Sequence, residues 1–120
     1  MCGITGFVST RSLSEEDLHI YIDKMSSVLT HRGPDDTGAW IDKEKNISLG
    51  HKRLSILDLS AFGHQPMTSS SKRYIIVFNG EIYNHLILRK EINELSSEII
   101  SWSGTSDTET LLKCFDFYGI

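Results

Sequence analysis

GAWIDKEKNISLGHKRLSIL, residues 38–57, decides the fold class. Residues 38–41 and 46–57 read as two strands, folded into a hairpin around an Asp42–Asn46 turn. Upstream, CGITGFV (2–8) reads as a further strand, with apolar residues on both faces and glycines that let backbone pack closely. Between them a helix opens at Ser14, with Asp17 three residues on as a weak capping-box partner. Leu18, Ile22, Met25 and Leu29 form its single apolar stripe. HRGPDD (31–36) breaks that pattern, and Gly33 and Pro34 mark a loop. Downstream, SAFGHQPMTSSSK (60–72) is polar and rich in Gly and Ser, and so predicts a long surface loop. RYIIVFNG (73–80) has the β-branched enrichment of a buried strand. EIYNH (81–85) continues that strand after Asn79-Gly80, a pair typical of a tight turn. Leu88, Ile92 and Leu95 predict a second helix. TSDTETLLKCFDFYG (105–119) predicts a third, with Asp107 near its cap and Leu111, Phe115 and Tyr118 facing inward. Clustered strands joined by short turns predict an antiparallel sheet with helices packed on it, the α+β class, not a doubly wound sheet.

Composition narrows the function. The 120 residues are 39% hydrophobic and 23% charged, the profile and size of one globular domain. A net charge of −4 with no Lys/Arg cluster argues against a nucleic-acid surface. Two cysteines, Cys2 and Cys114, give no disulfide framework, and five histidines show no HExxH spacing, so no metal site is expected. Neither GxGxxG nor GxxxxGK[ST] is present, which excludes nucleotide-phosphate loops of those kinds. No apolar run would span a membrane and no signal peptide opens the chain; cytoplasm is the expected compartment. The chain stops at CFDFYGI, within the third predicted helix and with no turn or cap after it, and so reads as truncated.

Cys2 follows the initiator methionine. Removal of Met1 would leave a residue carrying a thiol nucleophile and, in its own α-amine, a base with an unperturbed pKa of about 7.7–8.0. Taken alone, Cys2 reads equally as a small packing residue at the start of a strand.

Five segments change that weighting: MCGITGF (1–7), HRGPDDTG (31–38), LGHKRLSILD (49–58), FNGEIYNH (78–85) and SGTSDTE (103–109). In this order they resemble the class II glutamine amidotransferase domain, whose nucleophile is an N-terminal cysteine. RLSILD (53–58), QPM (65–67) and FNGEIYN (78–84) are most similar to the glutamine-hydrolysing asparagine synthetases. The phosphoribosyl-pyrophosphate and glucosamine-phosphate amidotransferases share the cysteine start and the HRG loop but carry a different, Trp-containing string after the arginine.

The resemblance implies the four-layer α-β-β-α sandwich of the N-terminal-nucleophile hydrolases, of which residues 1–120 would form the first part. It implies Cys2 as nucleophile, with the Asn79 side-chain amide and the Gly80 backbone N–H as oxyanion donors. Gly80 would permit an unusual backbone angle. Arg53 would hold the α-carboxylate of glutamine, Glu81 and Asp107 its α-ammonium, and the backbone near Leu54 and Ile56 would line the pocket. On their own these residues have plainer readings: Arg53 as a surface cation, Glu81 as a turn residue, Asp107 as a helix N-cap. Arg32, Gly33 and Asp35 are expected to shape a loop, and His31 and Arg32 also suit the C-terminal dipole of the first helix. His51 and His64 are not needed as a base, and Cys114 is expected to be inert core.

No cofactor is expected within these residues. The resemblance implies a further domain, absent here, that uses ATP and magnesium to adenylate aspartate and amidate it with the released ammonia; it allows a homodimer of the full-length protein. Amidotransferases of surface-polysaccharide sugar pathways carry similar N-terminal domains, so the acceptor stays open between aspartate and a sugar. A non-catalytic amino-acid-binding relative is the alternative of another class. The presence of Cys2, Arg53, Asn79, Gly80 and Asp107 together argues for a competent site.

Overall fold

The computed structural model describes residues 1–55 and 60–120. Its first sheet is antiparallel, in the order β1-β3-β2, built from β1 (Gly3–Val8), β2 (Asp36–Asp42) and β3 (Ile47–Arg53). β2 and β3 form the expected hairpin, pairing Asp42 with Ile47 at the turn and Asp36 with Arg53 at the open end. Asn46 closes the turn at φ 51°, a left-handed conformation that Asn tolerates better than most residues. Its side-chain carbonyl also accepts from Leu13 N–H at 3.0 Å, tying the turn to the start of the first helix.

Helix α1 (Glu15–Ser27) starts as the sequence predicts. Ser14 Oγ accepts from Asp17 N–H at 3.0 Å, one of the amide groups with no intrahelical partner. α1 covers the sheet face carrying Thr5, Phe7, Ser48 and Gly50. Leu18 and Ile22 are fully buried there, and a Cβ on Gly50 would run into Ser26 Oγ. That close approach is the reason for a glycine in the middle of β3.

Beyond β3 the structure departs from expectation. β3 ends at Arg53, and Ile56 and Leu57, expected to continue it, lie outside the described residues. The expected surface loop, residues 60–72, is not simply surface: Gly63, Gln65 and Ser69 are buried, a 3₁₀ turn forms at Ala61–Gly63, and β4 forms at Met67–Thr68. The expected long strand at 73–80 shortens to β5 (Ile75–Ile76), whose partner β4 offers only two residues to pair with. Beyond Ile76, side chains take over the backbone bonding: Phe78 N–H donates to Gln65 Oε1 at 2.6 Å. EIYNH is a connection into helix α2 (His85–Leu95), not a strand.

α2 and α3 (Asp107–Tyr118) pack on each other, burying Ile92 and Leu112. In α3, Leu111 and Phe115 are half-buried, but Tyr118 is exposed and donates its hydroxyl to Glu91 of α2 at 2.8 Å. α3 does end with a cap: Gly119 adopts φ 82° and its N–H donates to the Phe115 carbonyl. Among the described residues no helix is long and apolar enough to cross a membrane. The arrangement is α+β, with three helices and two antiparallel sheets among the described residues.

Candidate active site

Strand pairing fixes the first two groups of the site. β1 runs antiparallel to β3 with Gly3 opposite Lys52, so Cys2 emerges beside Arg53 and Leu54. Leu54 N–H donates to Cys2 Sγ at 3.3 Å, and the thiol faces the Leu54 carbonyl at 3.6 Å. An N–H aimed at sulfur is a bond that a thiolate accepts well. The HRGPDD loop locks this strand end. Asp35 N–H donates to the Arg53 carbonyl at 3.0 Å, and Ser55 N–H donates to Asp35 Oδ2 at 2.7 Å. Gly33 packs against the Lys52–Arg53 backbone, where a Cβ would not fit. Asp35 and Gly33 thus take the loop-shaping place expected of them.

Arg53 is 8% exposed, which overturns its reading as a surface cation. Its Nη1 donates to the Ser60 carbonyl at 2.8 Å, and its guanidinium lies flat over Gly63, where any Cβ would collide with it. A guanidinium held by backbone and close packing has the planar fork that recognises a carboxylate bidentately.

The opposite wall comes from the 78–82 segment and the start of α3. Ser106 is the N-cap of α3, its Oγ accepting from Thr108 N–H at 3.2 Å. Asp107 is therefore not the cap. Its carboxylate accepts from Ile82 N–H at 2.8 Å and is buried. Gly80 packs on the Phe78 ring, where a Cβ would meet Cζ at 2.6 Å. Among the described residues the only glycine at positive φ is Gly119. Close packing, not an unusual backbone angle, is the reason for glycine at position 80.

A cavity of about 300 Å³ lies between these walls, the lower end of the range for small-molecule sites. Cys2, Arg53, Leu54, Asn79, Gly80, Glu81 and Asp107 all line it. Ile56 lies outside the described residues. The sequence did not single out Gly63, Gln65, Phe78, Tyr83, Ser106 and Thr108 as lining residues, yet with Met1 they complete the wall. Gln65 belongs to the QPM string, the one signal in the sequence that points toward it.

The histidines sit beside the cavity, not in it. His51 is 1% exposed. Burial holds its imidazole below the usual histidine range, against the opposing pull of the Phe78 backbone and of Asp36. His64 Nδ1 lies 2.7 Å from Asp36 Oδ2. Desolvation works against the Asp36 charge, but the His64 hydrogen bond and charge outweigh it and hold the carboxyl below its ordinary value. Cys114 is half-buried on α3, and burial, then Glu91, pushes its thiol up, away from the reactive thiolate.

A thiol, a buried guanidinium, two carboxylates and an Asn-Gly corner thus surround one small cavity. The family model of the glutamine amidotransferase domain matches residues 1–120, and the chain belongs to that family. It is 42% identical to a putative glutamine-hydrolysing asparagine synthetase 2 of Methanocaldococcus jannaschii, over 99% of this chain and 24% of that protein. Asparagine synthetase 3 of Bacillus subtilis is 39% identical over 96% of this chain and 18% of its own length. Amidase chyE of Penicillium rubens is 37% identical, over 100% of this chain and 18% of its own length. The chain thus spans about a fifth of the length of the curated relatives it matches.

Proposed function

We propose that this chain is the glutamine-hydrolysing part of a larger amidotransferase, working in the reducing cytoplasm, with Cys2 as nucleophile. The observation that carries the reading is the meeting of Cys2, Arg53, Asn79, Gly80, Glu81 and Asp107 around one cavity. Arg53 takes the α-carboxylate of glutamine, and Glu81 and Asp107 take its α-ammonium, so that the side-chain amide reaches Cys2. After removal of Met1, the Cys2 α-amine accepts the thiol proton and the sulfur attacks the amide carbon. The oxyanion is held by the Asn79 amide and the Gly80 N–H, a type of donor worth roughly 3–4 kcal/mol each. The α-ammonium returns its proton to the leaving nitrogen, ammonia departs, and water hydrolyses the glutamyl thioester to glutamate. Further chain completes the four-layer α-β-β-α sandwich.

In this reading the ammonia passes to a second domain that uses ATP and magnesium to amidate aspartate. The relatives named asparagine synthetase support that acceptor. The similarity of the same 120 residues to a protein named amidase supports a second reading, in which one glutaminase unit serves another acceptor such as a sugar. The test is glutamate release by the full-length protein, with and without ATP and aspartate, beside Cys2→Ala. Release that depends on Cys2, with asparagine formed only when ATP and aspartate are present, is the expected result. Cys2-dependent release without asparagine selects the second reading. Glutamate release that persists in Cys2→Ala sinks both.

A further inference from the structure

Among the described residues no strand holds the corner that carries Asn79 and Gly80. β5 ends at Ile76, after two residue pairs with β4. Two side chains hold the following backbone instead. Phe78 N–H donates to Gln65 Oε1 at 2.6 Å, and Ile82 N–H donates to Asp107 Oδ2 at 2.8 Å. Gln65 is the member that joins this corner to α3: its Nε2 donates to Thr108 Oγ1 at 3.3 Å, one residue beyond Asp107. It is 6% exposed, and its own carbonyl crosses β2 at Gly38, where a Cβ would block it. Its side chain is therefore fixed at both ends and its backbone is fixed from below.

We propose that Gln65 is the positioning residue of this site. Through Phe78 N–H it sets the direction of the Asn79 amide and the Gly80 N–H, and through Thr108 it keeps that corner in register with Asp107. A neutral amide suits the place because it accepts from Phe78 N–H and donates to Thr108 Oγ1. The inference rests on the glutaminase reading. Oxyanion donors act on the transition state more than on bound glutamine, so their misplacement lowers kcat and leaves KM nearly unchanged.

The experiment uses the full-length protein and compares Gln65→Met, Gln65→Glu and Thr108→Val. Met keeps the shape and loses both bonds; Glu keeps the acceptor facing Phe78 N–H. Since loss of one oxyanion donor costs about 10²–10³ in kcat, misplacing the corner in Gln65→Met is expected to lower kcat about 10–100-fold, with KM within about threefold. Gln65→Glu should recover most of that loss, and Thr108→Val should lose about threefold in kcat by loosening one end of the link. Alkylation of Cys2 by iodoacetamide, a displacement that forms no oxyanion, should proceed at the wild-type rate in all three. Wild-type kcat in Gln65→Met overturns the proposal. So does a kcat loss that comes with slowed alkylation and a lowered melting temperature, because that pattern marks general loosening. A wild-type protein with no Cys2-dependent glutamate release removes the glutaminase reading itself, whereas intact wild-type release with an unaffected Gln65→Met removes only the role of Gln65.

Discussion

The β1-β3-β2 sheet is covered differently on its two faces. On one, α1 lays Leu18 and Ile22 across Thr5, Ser48 and Gly50, and contact between small and apolar groups holds the layers together. On the other face stand Cys2, His51, Arg53 and Asp36, met by the 60–80 segment and the start of α3. Polar side chains bonded to backbone, between residues 13 to 52 positions apart, hold that second face together. Apolar packing tolerates small changes of shape and fixes a layer. Directed hydrogen bonds fix individual atoms, which is what a reaction needs.

Substitutions on each face should separate these roles. The largest stability loss is expected at Glu109, behind the site. It accepts from Ser103 N–H at 2.7 Å and Gly104 N–H at 3.1 Å, and lies 3.5 Å from Arg89 Nη2. Arg89 in turn donates to the carbonyls of Gly104 and Ser106 and stacks 4.2 Å over Trp102. Breaking such a buried pair costs about 3–5 kcal/mol, so Glu109→Ala should show that loss in urea unfolding of the full-length protein. A loss below about 1 kcal/mol, the range of exposed pairs, would make this network a surface feature.

Ile22→Ala, on the α1 face, should cost about 3 kcal/mol in the same assay, from lost burial and the cavity left behind. The kcat and KM of the molecules that remain folded should not change. Altered KM at full folding would mean that the two faces are not separable.

Gly63→Ala should do the reverse. Its Cβ displaces the Arg53 guanidinium, so KM for glutamine should rise about tenfold, equivalent to about 1.4 kcal/mol, with kcat within about twofold. Unchanged KM would remove Arg53 from the carboxylate site.

The smallest effect is on pH dependence. His51 is held below its ordinary value when folded, so below about pH 6.5 the unfolded chain binds a proton that the folded chain refuses. Stability should therefore fall as pH drops from 7 to 5. His51→Gln should flatten that slope; an unchanged slope would assign it to other groups.

The α1 face was legible in the sequence because its signals are local. The stripe from Leu18 to Met25, the Ser14 cap and the Asn46 turn are each set by residues close in sequence, and each stands where periodicity and turn chemistry put it, although α1 ends at Ser27 and leaves Leu29 beyond it. Residues 60–80 were not legible. Ile75, Ile76 and Val77 carry strand chemistry, but strand length is set by the partner, and β4 offers two residues. Ser and Gly between 60 and 72 read as solvent-facing because nothing local says that Gly63 lies beneath a guanidinium or that Gln65 links Phe78 to α3. The residues around the cavity were legible only through the five segments taken together. Tyr118 follows the apolar spacing of α3 yet stays exposed, because its hydroxyl bonds Glu91 at the edge of the helix pair.

The most direct test of the account is the mass of the N-terminal peptide from full-length protein quenched in acid during turnover with glutamine. The expected peptide begins at Cys2, and part of it carries a glutamyl group on that sulfur. A peptide that retains Met1, or one that stays unmodified at Cys2 while a glutamyl group appears on another residue, would contradict it.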